Sequence, residues 1–416
     1  MSATVVGGVD VDPAAAGLDA AQLARIDRHL LSRYVEPGKI AGCQVLVARH
    51  DHVAHRSTLG HMDLERGVPV ADDAIWRWYS MTKPATGVAL LTLYEQGRCK
   101  LTDPIDRYLP EWRDVRVRVK HPDGSRELVE PRRPITIRDA MMHTTGIGFG
   151  PPEVRFDTAN RAEGGLTRRV PRGATLADVS KLLAGEPLRF HPGEHWLYTW
   201  STDIVAALVE VISGQRFGDY LSSQIFEPLG MTDTGFYVPA DEGHRVAALY
   251  ARNPDKSLRL LDDPAQGRLL REPAFQSGGG GLVGALDDYC RFCQMLLNGG
   301  QLDGARILGR PTVELMRTNH LPGGGELRDF ALPGGYGEVG FDGAGFGLTV
   351  AVGLGPARTG GVGPAGDFMW GGAASTSFWI DPTEDLYVVF MTQLMPSGTF
   401  DFRGQLRALT YAAITD

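Results

Sequence analysis

Ser80 and Lys83 stand three residues apart in Ser80-Met81-Thr82-Lys83, and Pro84 follows at once. Proline is tolerated inside a helix only in the first turn, so this stretch predicts a helix beginning near Ser80. Residues three apart share a helix face, which sets the Lys83 amine beside the Ser80 hydroxyl. A serine hydroxyl attacks poorly until a neighbouring base takes its proton, and a helix N-terminus favours the negative charge that then develops. The chemistry implied is nucleophilic catalysis through an acyl-serine. The bland alternative is a serine cap beside a solvated lysine. With fifteen serines and six lysines in the chain, the spacing alone does not exclude it.

Other reactive side chains lack the partners their chemistry needs. His143 invites a Ser-His-Asp triad, but no G-x-S-x-G pentapeptide occurs. His61, His191 and His195 are scattered without H-E-x-x-H spacing, so neither a catalytic metal nor any other cofactor is expected. Gly278 to Gly281 is not followed by Gly-Lys-Ser/Thr and reads as a turn returning the chain to a sheet. Cys290 and Cys293 lie in DDYCRFCQMLL at helical spacing without a second pair, and with Cys43 and Cys99 they read as ordinary thiols. Trp76 and Trp78 read as core; Tyr79, next to Ser80, is assigned to the pocket lining.

The elements that must position Ser80 fall into three blocks. Residues 18–34 form an amphipathic stripe, and 42–50 with 52–60 read as an antiparallel hairpin. A buried helix runs from Ser80 to a C-terminal stop at Gly97. From about 86 to 270 the signals are chiefly helical, at 135–143, 174–185, 201–213 and 215–226, with long loops at 120–134 and 147–172. After a helix at 286–297, strand-like runs return in FGLTVAVGL, FMWGGAAS, TSFWIDP and DLYVVFMTQ, and a helix at 402–413 closes the chain. The expectation is an α/β domain from residues 1–85 and 275–416, and a mainly helical domain from 86–274.

Composition narrows the partners. The 416 residues are 43% hydrophobic and 22% charged, with a net charge of −8 that offers no cationic surface for nucleic acid. No stretch reaches the ~18 apolar residues that span a bilayer, and the opening residues lack an export pattern. No membrane partner and a cytoplasmic location are expected.

From Ser80 onward the sequence resembles the serine β-lactamase and penicillin-binding protein superfamily, most closely its class C-like branch and the family VIII carboxylesterases. The likeness runs through SMTKP (80–84), LTDPIDRYLPEW (101–112), ITIRDAMMHTTGI (135–147), PGEHWLYTWSTDIVAALVEVISG (192–214), IFEPLGMTDTGF (225–236), SGGGGLVGALDDYCRFCQMLLNGG (277–300) and FMWGGAASTSFWIDP (368–382). It implies an antiparallel sheet flanked by helices, a helical domain, and an active site between them. Ser80 then matches the nucleophile of S-x-x-K and Lys83 its paired base. Tyr198 matches the tyrosine of Y-x-N, a general base or proton relay, and the segment holding His143 is structural. The resemblance also places the oxyanion donors at the backbone N–H groups of Ser80 and Ala373, beside Gly371 and Gly372.

Two positions depart from the β-lactamase pattern. Trp200 replaces the asparagine of Y-x-N, and Trp370-Gly371-Gly372 stands where a β-lactamase has K-T-G. The cation that meets a lactam carboxylate is thereby lost, and such a charge-assisted bond is roughly twice as strong as a neutral one. Trp370 is expected to offer a flat apolar wall, with Tyr79, Trp200, Gly371 and Gly372 also lining the substrate site. These departures point to a carboxylesterase acting on small uncharged esters. An acyltransferase using the same acyl-enzyme, a weak β-lactamase or amide hydrolase, and a retired scaffold are the rivals. Free lysine titrates near ~10.4 and tyrosine near ~10, so Lys83 and Tyr198 are expected to work as a coupled pair in a desolvated pocket, with activity rising toward mildly alkaline pH.

Overall fold

Strands from the two ends of the chain build one sheet, and the nearly continuous apolar runs of its central strands let it be covered on both faces. The computed structural model describes residues 11–148, 170–333 and 335–416. The strands are β1 (Gly42–Arg49), β2 (His52–Asp63), β3 (Val68–Pro69), β4 (Ala344–Phe346), β5 (Ala351–Leu354), β6 (Ala365–Gly371), β7 (Ser377–Asp381) and β8 (Leu386–Thr392). Their antiparallel order is β4-β5-β6-β7-β8-β1-β2-β3, so the first and last segments meet where Val45 pairs with Phe390 and Val47 with Val388. The hairpin read at 42–60 is the β1–β2 pair.

The principal helices are α1 (Ala20–Leu30), α2 (Thr82–Glu95), α3 (Ile137–Met142), α4 (Ser201–Ser213), α5 (Leu286–Leu297) and α6 (Phe402–Tyr411). Val45, Val47, Val388 and Phe390 face α1 and α6, packing with Leu23, Ile26, Leu30 and Leu406. The alternate residues Leu46, Ala48, Val389 and Met391 face the other way and join the larger core with α2, α4 and α5. Each buried aliphatic side chain contributes about 1.5–3 kcal/mol, and it is the pleat that lets one strand serve two cores. α2 is buried along Thr82–Leu93, as its nearly continuous apolar run demands.

The middle of the chain is less purely helical than its sequence suggests. The expected loop 120–134 includes one arm of a hairpin, Val117–Lys120 with Arg126–Val129, turned at Asp123-Gly124 where Gly124 has φ +86°. Leu249–Arg252 pairs with Leu258–Asp262 and, in parallel, with Leu394–Met395. The run FGLTVAVGL is two strands, β4 and β5, split by a tight turn in which Gly347 N–H bonds the Val350 carbonyl. Tertiary contact overrides propensity there: the Thr349 N–H is taken by the Met141 carbonyl at the end of α3, with Thr349 at φ +69°. The loop read at 147–172 lies almost wholly outside the described residues.

Candidate active site

A short strand, Ile75–Arg77, paired with Val283–Ala285, leads straight to Ser80. Tyr79 reverses the chain at φ +48°, an unusual value for a bulky residue that costs about 1–3 kcal/mol. Ser80 thus lies at the entry to α2, one short turn before its first residue, Thr82. Lys83 Nζ is 3.1 Å from Ser80 Oγ and 2.5 Å from the Gly279 carbonyl oxygen. A charged Lys83 donates to the hydroxyl; once neutral, the same pair reverses and the amine accepts the serine proton.

Gly279 is itself tethered. Its N–H donates to Asp203 Oδ1 at 3.1 Å, and the Ser277 hydroxyl donates to the same oxygen at 2.6 Å. Asp203 is buried in the first turn of α4, and burial pushes its carboxyl up while the Ser277 hydroxyl and the Lys83 charge pull it down. The glycines at 278 to 281 are therefore more than a turn. A Cβ at 278 would press on Ala206 and the Thr202 carbonyl, and one at 279 on the Asp203 carboxylate. The segment passes there because it has no side chains.

Tyr198 enters from the loop before α4, and its ring lies under the amine, with Lys83 Nζ 4.5 Å from the ring centroid. Trp370 Nε1 donates to the Tyr198 hydroxyl oxygen at 3.3 Å. The sequence assigned this indole to a wall facing substrate; in the fold it is wholly buried and turns its polar edge to the phenol. Trp196 stacks on Tyr198 at 5.9 Å, and Trp370 meets it edge-on at 5.2 Å. Chain-distant residues thus converge through packing: hydroxyl, amine, phenol and indole N–H.

The oxyanion candidates come from two segments that pass close together, since a Cβ on Gly372 would press on the Trp78 carbonyl oxygen. One is the N–H of Ser80, in the single turn Tyr79–Met81, and the other that of Ala373, in the turn after β6. Gly372 N–H bonds the Thr376 carbonyl and Ser375 N–H bonds the Gly372 carbonyl, fixing the tight turn that holds Ala373. Glycine is required at both preceding positions. A Cβ at 372 would collide with the Trp78 carbonyl oxygen, and one at 371 with the Arg403 guanidinium. Trp200 stacks on Phe275 at 6.0 Å, and Tyr79 packs near Leu249 and Met395.

A cavity of about 580 Å³ is lined by Tyr336, Glu338, Met369, Trp370, Phe400 and Arg403 among others; it touches the group through Trp370, while Ser80, Lys83, Tyr198 and Ala373 are not in its lining. The Tyr336 ring centroid is 6.1 Å from that of Tyr198. No cluster of His, Cys, Asp or Glu that could hold a metal occurs among the described residues, and no described helix is long and apolar enough to cross a membrane.

Sequence reasoning missed Asp203, Gly279 and the surroundings of His143. It also missed a serine–histidine–aspartate group away from Ser80, between α1 and β2. His55 Nε2 is 2.8 Å from Ser57 Oγ and 3.0 Å from Asp27 Oδ1. Both partners fall on one ring nitrogen, so no proton can pass from the hydroxyl through the ring to the carboxylate. That group pins α1 to β2.

Known proteins share this arrangement of chain. The beta-lactamase family profile matches residues 28–412. Esterase EstB of Burkholderia gladioli is 30% identical over 405 residues, covering 93% of this chain and 95% of that protein. Protein Rv1367c of Mycobacterium tuberculosis (strain ATCC 25618 / H37Rv) is 33% identical over 373 residues, covering 88% and 89%. Among solved structures, EstCE1, described as a hydrolase with promiscuous acyltransferase activity, superposes with a TM-score of 0.74 at 25% identity, covering 95% of this chain and 98% of that one.

Proposed function

Because the chain belongs to the beta-lactamase family, we propose that it is a serine carboxylesterase that cleaves small uncharged esters through an acyl-enzyme on Ser80. Ser80 Oγ attacks the ester carbonyl carbon while its proton passes to the Lys83–Tyr198 pair. The carbonyl oxygen, now negative, is received by the backbone N–H groups of Ser80 and Ala373. The C–O bond breaks, and the alcohol leaves with the proton held by the pair. Water then attacks the acyl-serine, giving its proton to the same pair and returning Ser80 to the start.

The observation that carries this reading is the neutral donor at Trp370, 3.3 Å from the phenol, where a β-lactamase has a lysine. An uncharged N–H can favour a deprotonated tyrosine without attracting an anionic substrate. The esterase relative supports the same choice. Rates on p-nitrophenyl acetate should far exceed those on nitrocefin, and a fluorophosphonate should label Ser80 in the wild type and nothing in Ser80→Ala. Equal labelling of Ser80→Ala, or turnover of nitrocefin alone, would remove the proposal.

A second reading keeps the acyl-enzyme and changes the acceptor. EstCE1 is described as having acyltransferase activity, and the Penicillium decumbens acyltransferase calJ is 26% identical over 364 residues, 79% of this chain. Supplying an acyl donor with a primary alcohol and measuring transferred ester against free acid separates transfer from hydrolysis.

A further inference from the structure

His143 ends α3 in the left-handed region at φ +58°, and that turn aims two acceptors from one residue at one tripeptide. Its carbonyl oxygen accepts the Leu197 N–H at 2.9 Å. Its Nδ1 accepts the Thr199 N–H at 3.4 Å. Leu197 and Thr199 are the two neighbours of Tyr198 in the chain. A backbone N–H cannot act as acceptor, so the ring proton belongs on Nε2, which then donates to Thr202 Oγ1 at 3.2 Å in the first turn of α4. The ring centroid is 5.0 Å from that of Tyr198, and the imidazole is wholly buried.

We propose that His143 is a positioning residue for Tyr198, clamping the peptide on both sides of the phenol so that it stays under Lys83 and against the Trp370 N–H. The inference rests on the proton-carrying role given to Tyr198 above. The neutral ring is essential to the clamp, because a second ring proton would abolish the Nδ1 acceptor. Burial and the neighbouring Lys83 charge both hold the imidazole well below its usual titration range. A residue that merely filled space would be replaceable by a side chain of similar volume. A clamp depends on where the acceptor atom sits.

Two replacements separate these cases. His143→Asn tolerates the positive φ and carries its amide oxygen near the place of Nδ1. His143→Gln reaches toward Thr202 and lacks an acceptor at the Nδ1 position. A misplacement of about 1 Å at a reacting group costs up to ~10²-fold. His143→Gln should therefore lose at least ~30-fold in kcat with KM changed less than about twofold, while His143→Asn stays within about fivefold of wild type. A folded His143→Gln with kcat near wild type, or an Asn variant as impaired as Gln, overturns the proposal. If His143→Gln does not fold, the nearly isosteric Thr202→Val supplies the test. Freed of its partner, the ring loses its fixed orientation, and kcat should fall about fivefold or more; an unchanged kcat overturns the clamp. Tyr198→Phe runs beside them. Full activity there sinks the role of Tyr198 itself, whereas an inactive Tyr198→Phe with an active His143→Gln sinks only the clamp.

Discussion

Replacing Trp370 by Phe deletes the N–H that meets the Tyr198 hydroxyl while keeping an aromatic ring against Tyr198 and Phe346. A hydrogen bond to a charged group contributes about 1.5–3 kcal/mol. At 3.3 Å this one is longer than the 2.7–2.9 Å usual for charge-assisted pairs, so the lower end applies. At about 1.4 kcal/mol per decade, kcat/KM on p-nitrophenyl acetate near pH 7 should fall ~10- to 30-fold. The defect should narrow above about pH 9, because a donor that favours a deprotonated phenol matters least where the medium itself removes the proton. The smaller ring leaves space in the core, and some ~1–3 kcal/mol of stability is lost with it. Assays well below the thermal midpoint keep that loss out of the rate. Rates within twofold of wild type across the whole profile, in a folded variant, would refute the role given to the indole.

Gly372→Ala drives a Cβ into the Trp78 carbonyl, two residues before Ser80, so strand edge and nucleophile must move apart and kcat should fall by ~10² or more; wild-type turnover would mean that the oxyanion donors lie elsewhere. Burial pushes the Asp288 carboxyl up to about 6, although Thr234 and the Asp233 N–H pull it down. Between about pH 4 and 6 the native state keeps a proton that the unfolded chain, with pKa ~3.9, has released, so stability falls as pH rises, by up to about 2–3 kcal/mol. Asp288→Asn should therefore raise the urea midpoint at pH 7.5 and leave it nearly unchanged at pH 4; equal midpoints at pH 7.5 contradict this. All four cysteines are buried, so iodoacetamide should modify none in the native protein and all four in urea, counted by mass spectrometry.

Legibility followed the range over which each signal acts. The start of α2 was readable because proline and helical spacing are local facts about residues 80–84, and the Ser80–Lys83 pair follows from them. The β1–β2 hairpin and α5 were readable for the same reason. The Tyr79 turn was not, since nothing in the residue itself predicts φ +48°; the paired strand before it and the glycine backbone at 280 impose it. The splitting of β4 from β5 depends on Met141, some 200 positions away, reaching Thr349. Asp203 could have been flagged as an acid five residues after Tyr198, directly before the apolar run Ile204–Val209. Its partner, the N–H of Gly279, carries no side chain to announce the pairing.

The exchange at 370 suggests how one scaffold can change its substrate class without disturbing its nucleophile. An indole N–H and a lysine ammonium can both donate to a tyrosine oxygen, so either is compatible with the proton path proposed for Lys83 and Tyr198. They differ in what else they attract. An ammonium 4 Å from a substrate carboxylate gains about 4 kcal/mol at an effective dielectric near 20, nearly three decades in binding. A neutral ester has no such charge and forfeits nothing when the ammonium is absent. Lys83 is already engaged, with bonds to the Ser80 hydroxyl and the Gly279 carbonyl and a charge felt by the buried Asp203 carboxyl. On the proposed function, selectivity against anions would arise from an attraction removed rather than a repulsion added. It is lost only by restoring a cation near Gly371, where the Arg403 guanidinium already lies but is shared between the Glu338 carboxylate and the Thr376 carbonyl.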